Sequence, residues 1–212
     1  MTSVVVFDFD GTIADTLDAV VHIANHLADE FGYQPVGAEE VKRLRHMSSR
    51  EVIQQSKIPF IKIPFLVRKV RTELKAQIPT LKPVSGMPET LKQLKQQGNR
   101  MGIITSNSEE NVIAFLKSNE MKDAIDFVYS GVSLFGKGRL IRRFLKESNL
   151  PAESVLYVGD ETRDIEAAKR AGTRAVAVTW GFNSREVLTS HRPDFLVDRP
   201  EELIAIAAGK AL

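Results

Sequence analysis

Six short apolar runs, separated by segments of helical period, constrain the fold of this 212-residue chain more than any other feature. Residues 4–8, 100–105, 126–129, 154–159, 174–178 and 194–197 read as buried strands. Most are rich in Val and Ile and end near polar or glycine positions. Helix patterns fill the gaps at 87–97, 109–118, 139–148, 164–171 and 201–208. In the first of these Leu91 and Leu94 lie one turn apart, Gly98 is placed as a C-cap, and Pro200 is placed to start the last. Strand and helix in alternation predict an α/β fold, a parallel sheet with helices on both faces.

One region breaks the alternation. From about Leu17 to about Pro83 there are helix patterns and no convincing strand. His22, Ala24, Leu27 and Phe31 fall near one helical face, and Phe65, Leu66, Val70 and Leu74 form a second apolar set. Prolines 35, 59, 64, 79 and 83 punctuate the stretch. It reads as a small helical domain inserted after the first strand, spanning 17–82, with 1–16 and 83–212 as the core. The insert holds eleven Lys and Arg against seven Asp and Glu, a net charge of +4 that leaves the remainder at −2. Such an excess suits either a solvated helix surface or a face toward an anionic substrate.

Composition removes several classes of function. There is no cysteine, so disulfides, thiolate metal sites and cysteine nucleophiles are all excluded. That suits a cytoplasmic location. The apolar run Val4–Phe7 is too short for a signal sequence and meets an acid at once. No stretch approaches a membrane span. With 29 basic and 27 acidic residues, nothing pulls toward nucleic acid.

The chemistry sits at the strand ends, where open parallel sheets bind ligands. Asp8-Phe9-Asp10-Gly11-Thr12 closes the first strand. Two carboxylates this close repel unless a cation or proton is shared, and Mg²⁺ is the natural cation because it also accepts phosphate. An Asp-Gly turn is the plain alternative. Asp160 and Asp164 follow the fourth strand, four residues apart as a helix begins, as ligands or as acids at a helix N-terminus. Thr105-Ser106-Asn107 precedes another helix, as a phosphate cradle or a run of capping residues. Lys137 lies between glycines ahead of a helix, either on the surface or placed to neutralise phosphate.

Taken in order, these four features resemble the haloacid dehalogenase (HAD) superfamily, in the subclass of phosphoglycolate-phosphatase-like hydrolases with a helical C1 cap. The resemblance spans Asp8 to Asp164 and beyond. It implies a Rossmann-like doubly wound sheet, an inserted all-helical cap, and Mg²⁺-dependent phosphatase action on a small phosphorylated metabolite such as phosphoglycolate. By likeness, Asp8 is the nucleophile that becomes an aspartyl phosphate, and Asp10 the acid and then the base. Thr105 and Ser106 hold phosphate oxygens, and Lys137 bridges phosphate and Asp8. The metal set is Asp8, Asp10 through its backbone carbonyl, Asp160 and Asp164.

The chain departs from the pattern at Ser106 in the second motif and Glu161 in the fourth. Glu161 is left between the metal shell and solvent. Arg45 and Arg50 lie in a stretch that resembles the substrate-facing loop of the cap, and are the candidates for gripping a substrate carboxylate. Three other readings compete. Gly131 to Gly138 approximates a P-loop, but Gly138 replaces the hydroxyl residue and the stretch follows the third strand. A signalling receiver uses similar residues in another order and at about half the length. A β-phosphoglucomutase-type phosphomutase keeps both Asp8 and Asp10.

Overall fold

The computed structural model describes residues 4–56, 58–131 and 136–209. Residues 132–135, the middle of the P-loop-like stretch, and Lys57 of the basic insert lie outside the described residues. Six parallel strands form one sheet: β1 (Val4–Phe7), β2 (Arg100–Thr105), β3 (Phe127–Ser130), β4 (Val155–Gly159), β5 (Arg174–Val178) and β6 (Phe195–Val197). Their order is β3-β2-β1-β4-β5-β6, so β1 is central and the strand order reverses across it. Phe7 pairs with Ile103 on one side and Val158 on the other. The carboxyl ends of β1, β2 and β4 therefore share one crevice, the switch point of an open α/β sheet.

The strands are buried on both faces, which is why they read as continuous apolar runs. Along β1 the side chains alternate. Val5 and Phe7 join one core, with α6 (Met87–Gln96), α7 (Glu109–Ser118) and α11 (Glu202–Ala207). Val4 and Val6 join the other, with α8 (Lys137–Ser148), α9 (Thr162–Ala171) and α10 (Arg185–Ser190). The doubly wound sheet expected from the sequence is present. Helix α8 starts two residues earlier than its apolar pattern suggests, because Gly138 is a poor helix former and hides the first turn. Helix α10 was not foreseen: six residues with one buried side chain, Leu188, carry no period.

Between β1 and α6 the chain forms α1 (Leu17–His26), α2 (Ala28–Phe31), α3 (Ala38–Arg45), α4 (Ser49–Gln55) and α5 (Ile63–Gln77). The first expected helix is broken after His26, and Leu27 and Phe31 are buried while His22 is exposed. In α5 Leu66, Val70 and Leu74 face inward at four-residue spacing, but Phe65 is 56% exposed, one position off that stripe. Entrance and exit of this segment run side by side: the Asp15 amide donates to the Lys82 carbonyl at 3.0 Å and the Val84 amide to the Ile13 carbonyl at 2.9 Å. Among the described residues no helix is long and apolar enough to cross a membrane.

Candidate active site

The sheet gathers Asp8, Lys137, Asp160 and Asp164 into one buried cluster. Asp8 follows β1, and its amide donates to the Val158 carbonyl at 2.8 Å, locking the strand end to β4. Lys137, the first residue of α8, is 3% exposed. Its ammonium lies 2.6 Å from Asp8 Oδ2 and also pairs with Asp164. Burial alone would lower the Lys137 pKa, but Asp164 and Asp8 outweigh it and the pKa is raised.

Asp160 and Asp164 flank the start of α9. Asp160 Oδ1 accepts from the Thr12 hydroxyl at 2.7 Å and Oδ2 from the Phe182 amide at 2.7 Å. The backbone after Asp10 turns at Gly11, whose φ is +74°, and a Cβ there would meet Asp160 Oδ2 at 2.4 Å. Glycine is required by both the left-handed conformation and the close approach. Burial, followed by the charges of Glu161, Asp164 and Asp8, pushes the Asp160 pKa well above the usual range. Asp164 is lifted to about 6, by burial first and by Asp8 and Glu161, against Lys137 and Arg163.

A single carboxylate oxygen from each of Asp8, Asp160 and Asp164 falls within a 4.8 Å span. All are hard oxygen donors, and the raised pKa values of Asp160 and Asp164 report burial first and crowded negative charge second. A small divalent cation such as Mg²⁺ fits that donor set.

Asp10 is set apart from this group. Its side chain is half-buried and accepts from the Asn107 amide nitrogen at 3.2 and 3.1 Å, one contact to each oxygen. Asn107 is itself oriented, since its Oδ1 accepts from the Ser108 amide and from Asn111 Nδ2. Burial, then the charge of Asp8, raises the Asp10 carboxyl to about 6, against the Asn107 bond, Arg163 and Lys137. Thr105 is fully buried at the end of β2, its hydroxyl accepting from the Asn107 amide at 2.9 Å.

The other sequence candidates separate. Arg45, Ser106 and Asp10 line one cavity, with Arg45 Nη2 donating to the Gly181 carbonyl at 2.9 Å. Arg50 lies elsewhere: it pairs with Glu166 and lines a smaller cleft with Lys137, Arg139 and Arg142. Glu161 is bound on both oxygens, accepting from the Ser49 hydroxyl at 2.6 Å and pairing with Arg163. Asn107 and Arg163 were not singled out in the sequence. Asn107 sat in the motif but its direction toward Asp10 depends on a contact 97 positions away.

Comparison with known proteins adds the following. A family model described as haloacid dehalogenase-like hydrolase matches residues 5–178. A phosphoglycolate phosphatase of Synechococcus elongatus is 37% identical over 200 residues, covering 94% of each chain. The pyrophosphatase PpaX of Bacillus cereus is 26% identical, covering 95% of this chain and 94% of the relative. A haloacid dehalogenase-like hydrolase structure from Streptococcus pneumoniae superposes with a TM-score of 0.78 at 23% identity, covering 97% of this chain and 98% of that one, a likeness of fold.

Proposed function

The chain belongs to the haloacid dehalogenase-like hydrolase family, and on that footing we propose that it is a Mg²⁺-dependent phosphatase of small-molecule phosphate monoesters. The observation that carries this reading is the division of labour between two carboxyls two residues apart. Asp8 is paired with Lys137 at 2.6 Å, and Asp10, at about 6, is set to hold a proton.

An oxygen of Asp8 attacks phosphorus while the bond to the leaving alcohol breaks, and Asp10 gives its proton to the departing oxygen. Water then attacks the aspartyl phosphate, Asp10 takes the water's proton, and phosphate leaves with Asp8 restored. Lys137 offsets charge on Asp8 and on the phosphoryl oxygens. Thr105 and Ser106 hold phosphate oxygens. Asp8, Asp160 and Asp164, with the Asp10 carbonyl, are the proposed holders of Mg²⁺. Bound there, Mg²⁺ would supply Lewis-acid neutralisation of phosphoryl charge.

Residues 17–82 are proposed as a cap over this site, with 1–16 and 83–212 as the core. The paired entrance and exit segments support that division, as does the hydrogen bond from the Ser184 amide to the Arg45 carbonyl at 2.8 Å. The relatives are named for phosphoglycolate and for pyrophosphate, so phosphoglycolate is the first substrate to try and the leaving group is a separate question. A cytoplasmic setting fits the absence of cysteine.

The test is turnover of p-nitrophenyl phosphate by purified protein with and without Mg²⁺. Repeated Mg²⁺-dependent release of phosphate is expected. A single phosphorylation without turnover, or, with a sugar phosphate as substrate, its isomer without free phosphate, would overturn the reading.

A further inference from the structure

A cavity of about 390 Å³ opens above Asp10. The core contributes polar groups to it, among them Asp10, Ser106 and Asn107. The helical segment contributes Arg45 and Arg71, but otherwise mostly hydrocarbon: Val20, Val21 and Ala24 of α1, and Leu66, Val67 and Val70 of α5. The volume lies within the range of sites that enclose whole organic ligands, about 300–1,000 Å³. It equals the liquid share of about a dozen waters at ~30 Å³ each. The phosphate of a two-carbon hydroxyacid would engage the polar floor and leave the aliphatic walls against water. Beyond Arg45, Ser49 and Arg71, the Val, Leu and Ala walls of α1 and α5 offer no partner to a carboxylate or a sugar hydroxyl, and burying such groups against them without hydrogen bonds is costly.

We propose that this site takes phosphate monoesters whose leaving alcohol carries an apolar chain or ring, with the hydrocarbon lying against α1 and α5. The proposal rests on the phosphatase reading above and names its substrate class. Arg71 lines the same cavity as Asp10, and burial lowers the pKa of its guanidinium against the charge of Asp10.

The experiment has a binding arm and a turnover arm. Binding of methyl-, propyl- and hexylphosphonate to the Mg²⁺-loaded protein is measured by calorimetry. Affinity is expected to rise about fourfold per methylene, levelling once the cavity fills. Turnover of the matching alkyl phosphates should show the same gradient in kcat/KM, with hexyl phosphate ahead of phosphoglycolate. Ala24→Phe, which fills the cavity, should flatten both gradients; if it fails to fold, the wild-type series decides alone. Flat affinities along the series, or phosphoglycolate outrunning hexyl phosphate, would overturn the proposal. Graded affinity with no turnover of any monoester, p-nitrophenyl phosphate included, would uphold the apolar ligand class and overturn the phosphatase reading instead.

Discussion

The Asn107 side chain donates to both carboxylate oxygens of Asp10, at 3.2 and 3.1 Å. That bond favours the charged carboxylate and so holds the Asp10 pKa down, while burial and Asp8 push it up to about 6. Asn107→Ala removes the restraint. The pH-rate limb assigned to Asp10 should move upward from about 6, because the protonated form gains. Lost aim of the carboxyl should lower kcat about ten- to hundredfold, the scale of a hydrogen bond to a charged group at about 1.5–3 kcal/mol. Profiles of wild type and variant that superpose would count against Asp10 as the acid.

Asp8→Asn keeps the shape of the strand end and removes the attacking oxygen. Turnover should fall by more than about a thousandfold, the order of loss when a nucleophile is removed. Acid-quenched wild type incubated with substrate should carry a phosphoryl adduct by mass spectrometry, and the variant none. Residual turnover above that level would mean that another group attacks.

Lys137→Met tests the ion cluster through stability. Lys137 is buried between Asp8 and Asp164. Removing it leaves two carboxylates without their cation, a loss of about 3–5 kcal/mol for a broken buried pair, or about 10 °C in Tm at this chain length. Mg²⁺ should restore part of that in the variant. An unchanged Tm without metal would show that Asp8 and Asp164 do not depend on the lysine.

Much of this was legible in the sequence. The strands stood out because residues such as Val4 to Phe7 are buried on both faces, and the acids stood out because Asp8 and Asp160 sit where such runs stop. Glu161 and Asn183 were different. Glu161 meets Ser49 across 112 positions and Asn183 meets Met47 across 136, and neither pairing leaves a local pattern. The cavity was hidden for another reason. Periodicity shows that Val70 and Val20 share apolar faces, but not whether those faces close on each other or on a space.

pH and metal should act on stability together. Asp10 and Asp164 are raised to about 6 and Asp160 is raised well above its ordinary value, all above their unfolded values. A raised carboxyl contributes stability below its unfolded pKa and loses it as pH rises through the folded value. Metal-free protein should therefore melt lower at pH 8 than at pH 5. Mg²⁺ binds the deprotonated cluster, so it should stabilise the fold more at pH 8, by about 2.7 kcal/mol at a hundredfold excess over Kd, with the larger rise in Tm there. Thermal scans at both pH values, with EDTA and with Mg²⁺, measure this. Equal Mg²⁺ effects at pH 5 and pH 8 would show that the Asp160 and Asp164 carboxyls are not metal ligands.

Asn183 ties the helical segment to the core. It is buried, its Oδ1 accepts from the Thr162 amide at 2.9 Å, and its Nδ2 donates to the Met47 carbonyl at 2.9 Å. One amide thus joins the loop after β5 to the start of α9 and to the turn between α3 and α4. Asn183→Ala leaves both backbone groups unpaired, and one buried group left unsatisfied costs about 1–3 kcal/mol. If the segment closes over the site through this contact, the cost falls on the closed state. KM should rise about tenfold, the equivalent of ~1.4 kcal/mol, with a smaller change in kcat. Trypsin should cut faster near Arg43 and Arg50, where the side chains are already exposed. Global Tm should move by only a few degrees, because β1 to β6 keep their cores. Unchanged proteolysis with unchanged KM would place Asn183 outside the closing contact and leave that role to other ties, such as Ser184 to Arg45 and Ser49 to Glu161.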